Sequence, residues 1–591
     1  MKNFKFLTGI APLLLIAAST FLLFGNGFSQ KQPGQSKYWV YFRDKGHGGL
    51  LKRQQLEALA RAHLSERAVQ RRLKRGSGSS LFDVTDVPVY RDYVRKVRAA
   101  GFRVWTVSKW LNAVSVFASP QSIERLRSLP FVKKIEPVNV FIRPPIGQKS
   151  VEKSKASVLG KTIRTHSLHY GPSFEQDSVI HVPEVHDLGY DGAGVLVGML
   201  DTGFNWKHHK AFQNLKVVAE YDFIHHDSIT ANEAKDSLYF PDKPGQDSHG
   251  TETLSSLAGF DPGELIGPAY GASFALAKTE YVPTETRIEE DNWVAGIEWE
   301  DSLGADVVSS SLGYLDFDNG FTYDYKSQLD GNTAVTTIAA DLAVKKGIVV
   351  VNSAGNEGHT RPTTLITPAD GDSVIAVGAV RMDGEIASFS SDGPTSDGRT
   401  KPDVVAPGVS VYVVSPYTKD RYTRSSGTSF SCPLTSGVCA LILSAYPELK
   451  PMQVRDVLRK TANNAKHPDN LYGWGLIDAY KALLYAKTKV EGVPVIPKKL
   501  ELSDAYPNPS SGFVSVLYGL PEEAVVTISV YNILGQRVKT LFHGNQFAGG
   551  NHLVSWNGLL ETGEPAPSGI YFVVLKTHCG HATRRILLLR K

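Results

Sequence analysis

The run Val195-Leu196-Val197-Gly198-Met199-Leu200 is apolar throughout, bounded by glycines, and followed at once by Asp201. A strand with no polar side can be buried on both faces, as in a parallel sheet covered by helices, and does not suit a sheet with one wet face. Gly347-Ile348-Val349-Val350-Val351 has the same character and leads into Ser353-Ala354-Gly355-Asn356. Strands of this kind specify an α/β fold. Open α/β sheets build their sites at the carboxyl ends of their strands, which is where Asp201 and Asn356 stand.

Three short motifs follow one another in a fixed order: Asp201-Thr202-Gly203, His249-Gly250-Thr251 and Gly427-Thr428-Ser429. Taken singly, an Asp-Thr-Gly is a strand-to-turn signal and a histidine is a satisfied polar residue. Taken together they supply a carboxylate, a base and a nucleophile. His249 precedes a helical segment, so one ring nitrogen can meet Asp201 and the other a hydroxyl, and Gly250 permits close backbone approach. Ser429 opens Ser429-Phe430-Ser431-Cys432-Pro433, which runs into the apolar stretch from Gly437 to Leu443. This reads as a serine in the first turn of a buried helix, where a proline is tolerated and unpaired N–H groups suit an oxyanion. The Asn356 amide is the expected second donor, since it bonds developing charge without ionising. Ser431 occupies the place where a Gly-x-Ser-x-Gly elbow needs glycine, which disfavours an α/β-hydrolase. The order Asp, His, Ser also differs from both the hydrolase and the chymotrypsin orders.

From about Tyr170 to about Ala486 the chain resembles the subtilases. Besides the three motifs, the resemblance rests on Ser310-Ser311-Leu312-Gly313-Tyr314, the segment from Ser373 to Val380, Phe389-Ser390-Ser391-Asp392-Gly393-Pro394, and the segment from Lys401 to Gly408. It implies a subtilisin-like doubly wound parallel sheet that hydrolyses peptide bonds through an acyl-enzyme. It assigns catalysis to Asp201, His249, Ser429 and Asn356, and pairing with substrate main chain to Ser311, Leu312 and Gly313. Ile366, in Thr364-Leu365-Ile366-Thr367-Pro368, aligns with the floor of the primary pocket and is expected to shorten it. No cofactor is required for catalysis. Family members often bind structural calcium, which the acidic composition permits, and no ligands are assigned. An acidic insertion from Tyr221 to Asp247 departs from the shortest members.

At 591 residues the chain suggests three or four domains. Lys2 and Lys5, the apolar stretch from Phe6 to Phe24, and small residues at Gly27 and Ser29 mark residues 1–29 as a secretory leader. Residues 31–166 carry 28 basic and 9 acidic side chains, net +19, whereas residues 167–493 carry 25 and 44, net −19. A basic block suits nucleic acid or an anionic surface. Its place between a leader and an acidic block makes docking on that block the economical reading, and no nucleic-acid partner is expected. Val89, Tyr93 and Val97 predict a helix ending at Gly101, Leu111 to Ala118 a strand, and Ile123 and Leu126 the start of a second helix. With the strand-like Tyr38 to Phe42, residues 30–143 read as a small α+β module that resembles a subtilase propeptide. Residues 144–169 read as the linker carrying the processing site, and 170–490 as the catalytic domain.

Residues 500–591 show short alternating runs between Gly, Pro and Asn turns, the pattern of an immunoglobulin-like β-sandwich. Ala505-Tyr506-Pro507-Asn508-Pro509, Tyr531-Asn532-Ile533-Leu534-Gly535 and Ser568-Gly569-Ile570-Tyr571 resemble the sorting domain of the type IX secretion pathway. That resemblance implies an outer-membrane secretion machinery as partner, and a secreted or cell-surface protein that passes through the periplasm. An ordinary adhesive or substrate-binding sandwich is the alternative. Cys432 and Cys439, about 10 Å apart by helical rise, are too distant to bridge and read as buried thiols.

The sequence therefore predicts an exported, propeptide-controlled serine endopeptidase acting on proteins or peptides. The competing reading is a surface-binding protein on the same scaffold whose catalysis is dispensable. Competent residues at all four catalytic positions favour the enzyme.

Overall fold

The computed structural model describes residues 36–46, 52–76, 80–138, 166–233, 241–284, 286–318, 321–491, 497, 499–505, 508–510, 512–546, 549–578 and 580–590. The expected leader, nearly all of the expected linker and Cys579 lie outside them.

The basic block comprises β1 (Ser36–Phe42), α1 (Arg53–Arg61), α2 (Glu66–Arg75), α3 (Arg91–Ala99), β2 (Arg103–Ser108), β3 (Ala113–Ala118), α4 (Pro120–Arg127) and β4 (Val132–Val138). Its strands form an antiparallel sheet in the order β2-β3-β1-β4. Helices α3 and α4 bury Val94, Val97, Ile123 and Leu126 with Val40, Val114 and Val116 of the sheet. Three predicted boundaries move. Val89 is buried ahead of α3, β3 starts after Asn112 turns the chain at φ 50°, and α4 starts at Pro120. The Ser119 hydroxyl caps α4 by accepting from the Ser122 N–H at 3.0 Å. Helices α1 and α2 were not expected. In α2 the buried positions include Arg71, Arg72 and Arg75, so its sequence has the look of a solvated surface until its partner is known.

The second part begins with α5 (Phe174–Val179), α6 (Val182–Asp187), β5 (Leu196–Asp201), β6 (Lys216–Asp222), α7 (Ser248–Ala258) and a short hairpin, β7 (Phe260–Asp261) and β8 (Leu265–Ile266). It continues through β9 (Ser273–Lys278), α8 (Arg287–Leu303), β10 (Val307–Ser310), α9 (Val335–Lys345), β11 (Val349–Ser353), β12 (Ile375–Val380) and β13 (Val404–Pro407). A second hairpin, β14 (Val411–Val414) and β15 (Tyr422–Ser425), precedes α10 (Thr428–Ala445), α11 (Pro451–Thr461) and α12 (Ala479–Glu491). Seven strands make one parallel sheet in the order β13-β12-β11-β10-β5-β9-β6. The apolar run of β5 is divided between the two faces. Val197 and Met199 pack with Leu254 of α7, Leu441 of α10 and Val457 of α11, while Leu196 and Leu200 pack with Trp293 of α8 and Ala339 of α9. Helices on both faces explain why this strand has no polar side. Helix α10 is long and apolar enough to cross a membrane, yet it is buried in this core.

The third part contains β16 (Glu501–Leu502), β17 (Val514–Leu520), β18 (Ala524–Asn532), β19 (Arg537–Gln546), β20 (Gly549–Trp556), β21 (Gly569–Thr577) and β22 (Gly580–Leu588). Two sheets, ordered β16-β17-β20 and β19-β18-β21-β22, enclose Val516, Tyr518, Val526, Ile528, Trp556, Val573 and Leu575, which makes an immunoglobulin-like sandwich.

The basic block docks on α8. Trp39, Trp110 and Ala113 share one core with Trp293, Val294 and Ile297. Around them, Lys37 pairs with Asp291 at 2.5 Å, Arg71 and Arg72 converge on Asp301 at 2.5 and 2.7 Å, and Arg75 meets Asp306 at 2.8 Å. Glu298 accepts from the Ser108 hydroxyl at 2.5 Å and from the Lys109 N–H at 3.1 Å. Burial alone would raise the Asp301 carboxyl, but Arg72 and Arg71 hold it well below the usual carboxylate range. Desolvation offsets much of the Coulomb gain of buried pairs, so the tryptophans supply adhesion and the charges supply register. The opposed net charges of the two blocks thus meet face to face.

Candidate active site

Asp201 ends β5 and is fully buried. Its Oδ1 accepts from the Thr202 N–H at 2.7 Å and lies 2.6 Å from His249 Nδ1, while Oδ2 accepts from the Thr253 hydroxyl at 2.9 Å. His249 lies in the first turn of α7, and Thr253 sits four residues on, hence on the same helix face. Gly250 is what lets this helix approach β5. A Cβ there would meet the Gly203 carbonyl at 2.1 Å and Asp201 Cβ at 3.0 Å. Burial alone would lower the His249 pKa, but the charge and hydrogen bond of Asp201, helped by the charge of Glu252, raise it above 6.5.

Ser429 is the second residue of α10. The expectation that Pro433 falls within the tolerant first turn needs correction, because Pro433 lies inside the helix. Lacking an N–H, it cannot bond the Ser429 carbonyl four residues back. The Ser311 hydroxyl takes that place, donating to Ser429 O at 2.8 Å, and Ser429 Oγ donates in return to Ser311 O at 3.3 Å. The His249 ring packs against Phe430, with centroids 6.1 Å apart. Serine and histidine therefore share one site, with the serine hydroxyl turned toward Ser311. Catalytic hydrogen bonds often tighten only when substrate binds.

Asn356 follows β11. Its Oδ1 accepts from the Thr428 N–H at 2.9 Å and from the Thr428 hydroxyl at 3.1 Å, which leaves Nδ2 as the outward donor. Gly427, at φ 154°, separates this amide from Ser429. A Cβ on it would lie 3.6 Å from both Asn356 Nδ2 and Ser429 N. Two N–H donors thus flank one small space beside Ser429.

Ser311, Leu312 and Gly313 follow β10 next to Ser429. Leu312 is buried and its carbonyl accepts from Asn352 Nδ2 at 2.9 Å. Ile366 lies against two glycine-bearing walls: a Cβ on Gly313 would meet its Cδ1 at 2.0 Å, and one on Gly355 its Cγ2 at 2.9 Å. The acidic insertion is pinned at the carboxyl end of the sheet, where fully buried Lys278, in register with Asp201, bonds Asp222 at 2.8 Å and Asp242 at 2.7 Å. At its other end Tyr417 donates to Asp247 at 2.7 Å. Among the described residues no group of three or more His, Cys, Asp or Glu is placed to hold a metal ion. Cys432 and Cys439 are buried free thiols, and burial pushes Cys432 up to about 12.

Sequence reasoning missed Thr253, the Thr428–Asn356 bonds and the Ser311–Ser429 exchange. The four-residue spacing from His249 was the available signal for Thr253. The other two join segments more than seventy residues apart and had none.

A doubly wound sheet with a carboxylate, an imidazole and a serine at the carboxyl ends of its strands defines a hydrolase of the serine type. Residues 192–475 match the Subtilase family, residues 37–155 the Peptidase S8 propeptide domain, Bacteroidota, and residues 510–580 the FlgD Ig-like domain. Subtilisin DY of Bacillus licheniformis is 37% identical over 306 residues, which cover 51% of this chain and 96% of that protein. Subtilisin E of Bacillus subtilis (strain 168) is 35% identical over 310 residues, covering 52% and 70%. The chain belongs to the subtilase family and is a subtilisin-like serine endopeptidase with a propeptide.

Proposed function

We propose that Asp201, His249 and Ser429 are the catalytic triad, and that Asn356 Nδ2 and the Ser429 N–H are the oxyanion hole. Ser429 Oγ attacks the scissile carbonyl while His249 takes its proton. Asp201 holds the imidazole tautomer and stabilises its charged form. The amine then leaves with the proton from His249, and water repeats the sequence on the acyl-enzyme to release the acid. The observation that carries this reading is the 2.6 Å contact of His249 Nδ1 with a fully buried carboxylate that Thr202 and Thr253 hold in place. In the same reading Ser311 to Gly313 pair with substrate main chain, and Ile366 limits the depth of the primary pocket. A fluorophosphonate probe should label the mature protein, and Ser429→Ala should abolish labelling. Undiminished labelling of that variant would reject Ser429 as the nucleophile.

The basic block acts in this proposal as an inhibitor that must be cut and removed, and its contacts with α8 support that role. Export by the leader, and sorting by the C-terminal sandwich at the outer membrane, complete the reading. Ile533 and Leu534, in one of the motifs that suggest sorting, stand 69% and 76% exposed at the β18–β19 turn, as a recognised address would require. Deleting residues 500–591 should leave the protein in the periplasm. Normal release without them would assign the sandwich to adhesion or substrate binding.

A further inference from the structure

Glu252 lies three residues after His249 on α7, and its Oε2 accepts from the Ser425 hydroxyl at 2.8 Å. Ser425 ends β15, four residues before Ser429. One hydrogen bond therefore joins the helix that carries the base to the strand that delivers the nucleophile. A second tie, from the Val414 N–H to Ser255 Oγ at 3.1 Å, holds the same helix to the partner strand β14. The His249 ring also packs on Phe430 of α10, a contact that sets no hydrogen-bond direction.

We propose that Glu252 and Ser425 are a positioning pair: their bond sets the approach of His249 to Ser429, and the Glu252 carboxylate stabilises the imidazolium that forms when Ser429 attacks. The proposal rests on the triad reading above. The charged groups acting on His249 are few. Asp201 faces it from β5 and Glu252 from its own helix, α10 carries no Asp, Glu, Lys, Arg or His, and Arg424 of β15 is engaged with Glu175. Burial holds the Glu252 carboxyl above the usual range, against the Ser425 hydrogen bond and the charge of His249, and the charge of Asp201 adds to the rise. Asp201 meets Nδ1, so its geometry fixes the tautomer. Glu252 touches neither ring nitrogen, and its effect is carried by position and charge.

Two substitutions separate these effects, with rates normalised to fluorophosphonate titration so that only folded, competent enzyme is counted. Glu252→Gln keeps an acceptor for Ser425 and removes the charge. The acid limb of kcat/KM should move down by roughly 0.3–1 pH unit, with kcat at the alkaline plateau within about threefold of the parent. Ser425→Ala keeps the charge and removes the bridge, while the Ser255 tie keeps α7 docked. Its kcat should fall by about three- to thirtyfold with KM nearly unchanged, and Ser425→Thr should restore most of the loss. An unmoved limb in Glu252→Gln, or an unchanged kcat in Ser425→Ala, overturns the proposal. If Glu252→Gln does not accumulate, the Ser425 pair of variants decides alone. Ser429→Ala serves as the control: activity persisting in it would overturn the triad reading itself, whereas an inactive control with silent Glu252 and Ser425 variants overturns only the positioning pair.

Discussion

The Ser311 hydroxyl replaces a helical N–H: it bonds the Ser429 carbonyl that Pro433 leaves unpaired in α10, at 2.8 Å. The proline thus opens one rung of the helix directly behind Ser429 and hands it to the strand segment after β10. Ser311→Ala should leave that buried carbonyl unsatisfied and cost about 1–3 kcal/mol of stability, with a loss of turnover. Pro433→Ala would return an N–H to the helix, so the two substitutions should not be additive. A double-mutant cycle of thermal unfolding and kcat tests this. Strict additivity would show that the two groups do not compete for one carbonyl.

Asn356→Ala should leave the enzyme folded but slowly processed, with turnover lowered by roughly a hundred- to a thousandfold and KM little changed, as for loss of one oxyanion donor. Single-turnover kinetics give the answer. A change mainly in substrate binding would move Asn356 out of the oxyanion hole.

In its proposed role as base His249 must be neutral, and its pKa is raised. The acid limb of kcat/KM should therefore lie above pH 6.5, with activity rising through it. Asp201→Asn should shift that limb down and lower the plateau by about 10⁴. For folding the sign is opposite. The raised imidazole contributes stability that is complete below pH 6.5 and is lost as pH rises through the raised value. Activity and this stability contribution should cross in the same pH window, measured by rate profiles and by denaturant midpoints.

The isolated basic block, added in trans, should inhibit the mature enzyme, and rising salt should weaken inhibition only in part. Ions screen the exposed rim, but not Trp39 and Trp110 in the core shared with α8. Asp301→Asn strips Arg71 and Arg72 of their buried carboxylate, which should cost about 3–5 kcal/mol, or roughly two to four orders of magnitude in inhibition constant. Truncation near Arg143 should weaken inhibition even at low salt. Inhibition indifferent to salt, to truncation and to Asp301→Asn would assign the basic block another partner.

The sequence by itself determined the α/β class, because a strand such as Val195 to Leu200 is legible from its neighbours in the chain, as is the β-sandwich from its alternation. It also singled out Asp201, His249, Ser429 and Asn356, since each stands in a local context that its chemistry requires. Only the tertiary structure decided how those residues are held. Ser311 behind Ser429, Thr428 beneath Asn356 and Ser425 beside Glu252 are contacts between segments far apart in sequence, and such contacts leave no periodicity to read. The same holds for α2, whose arginines read as a wet surface. Their burial depends on Asp301 and Asp306, more than two hundred residues away, because a charge goes inside only where a distant partner meets it.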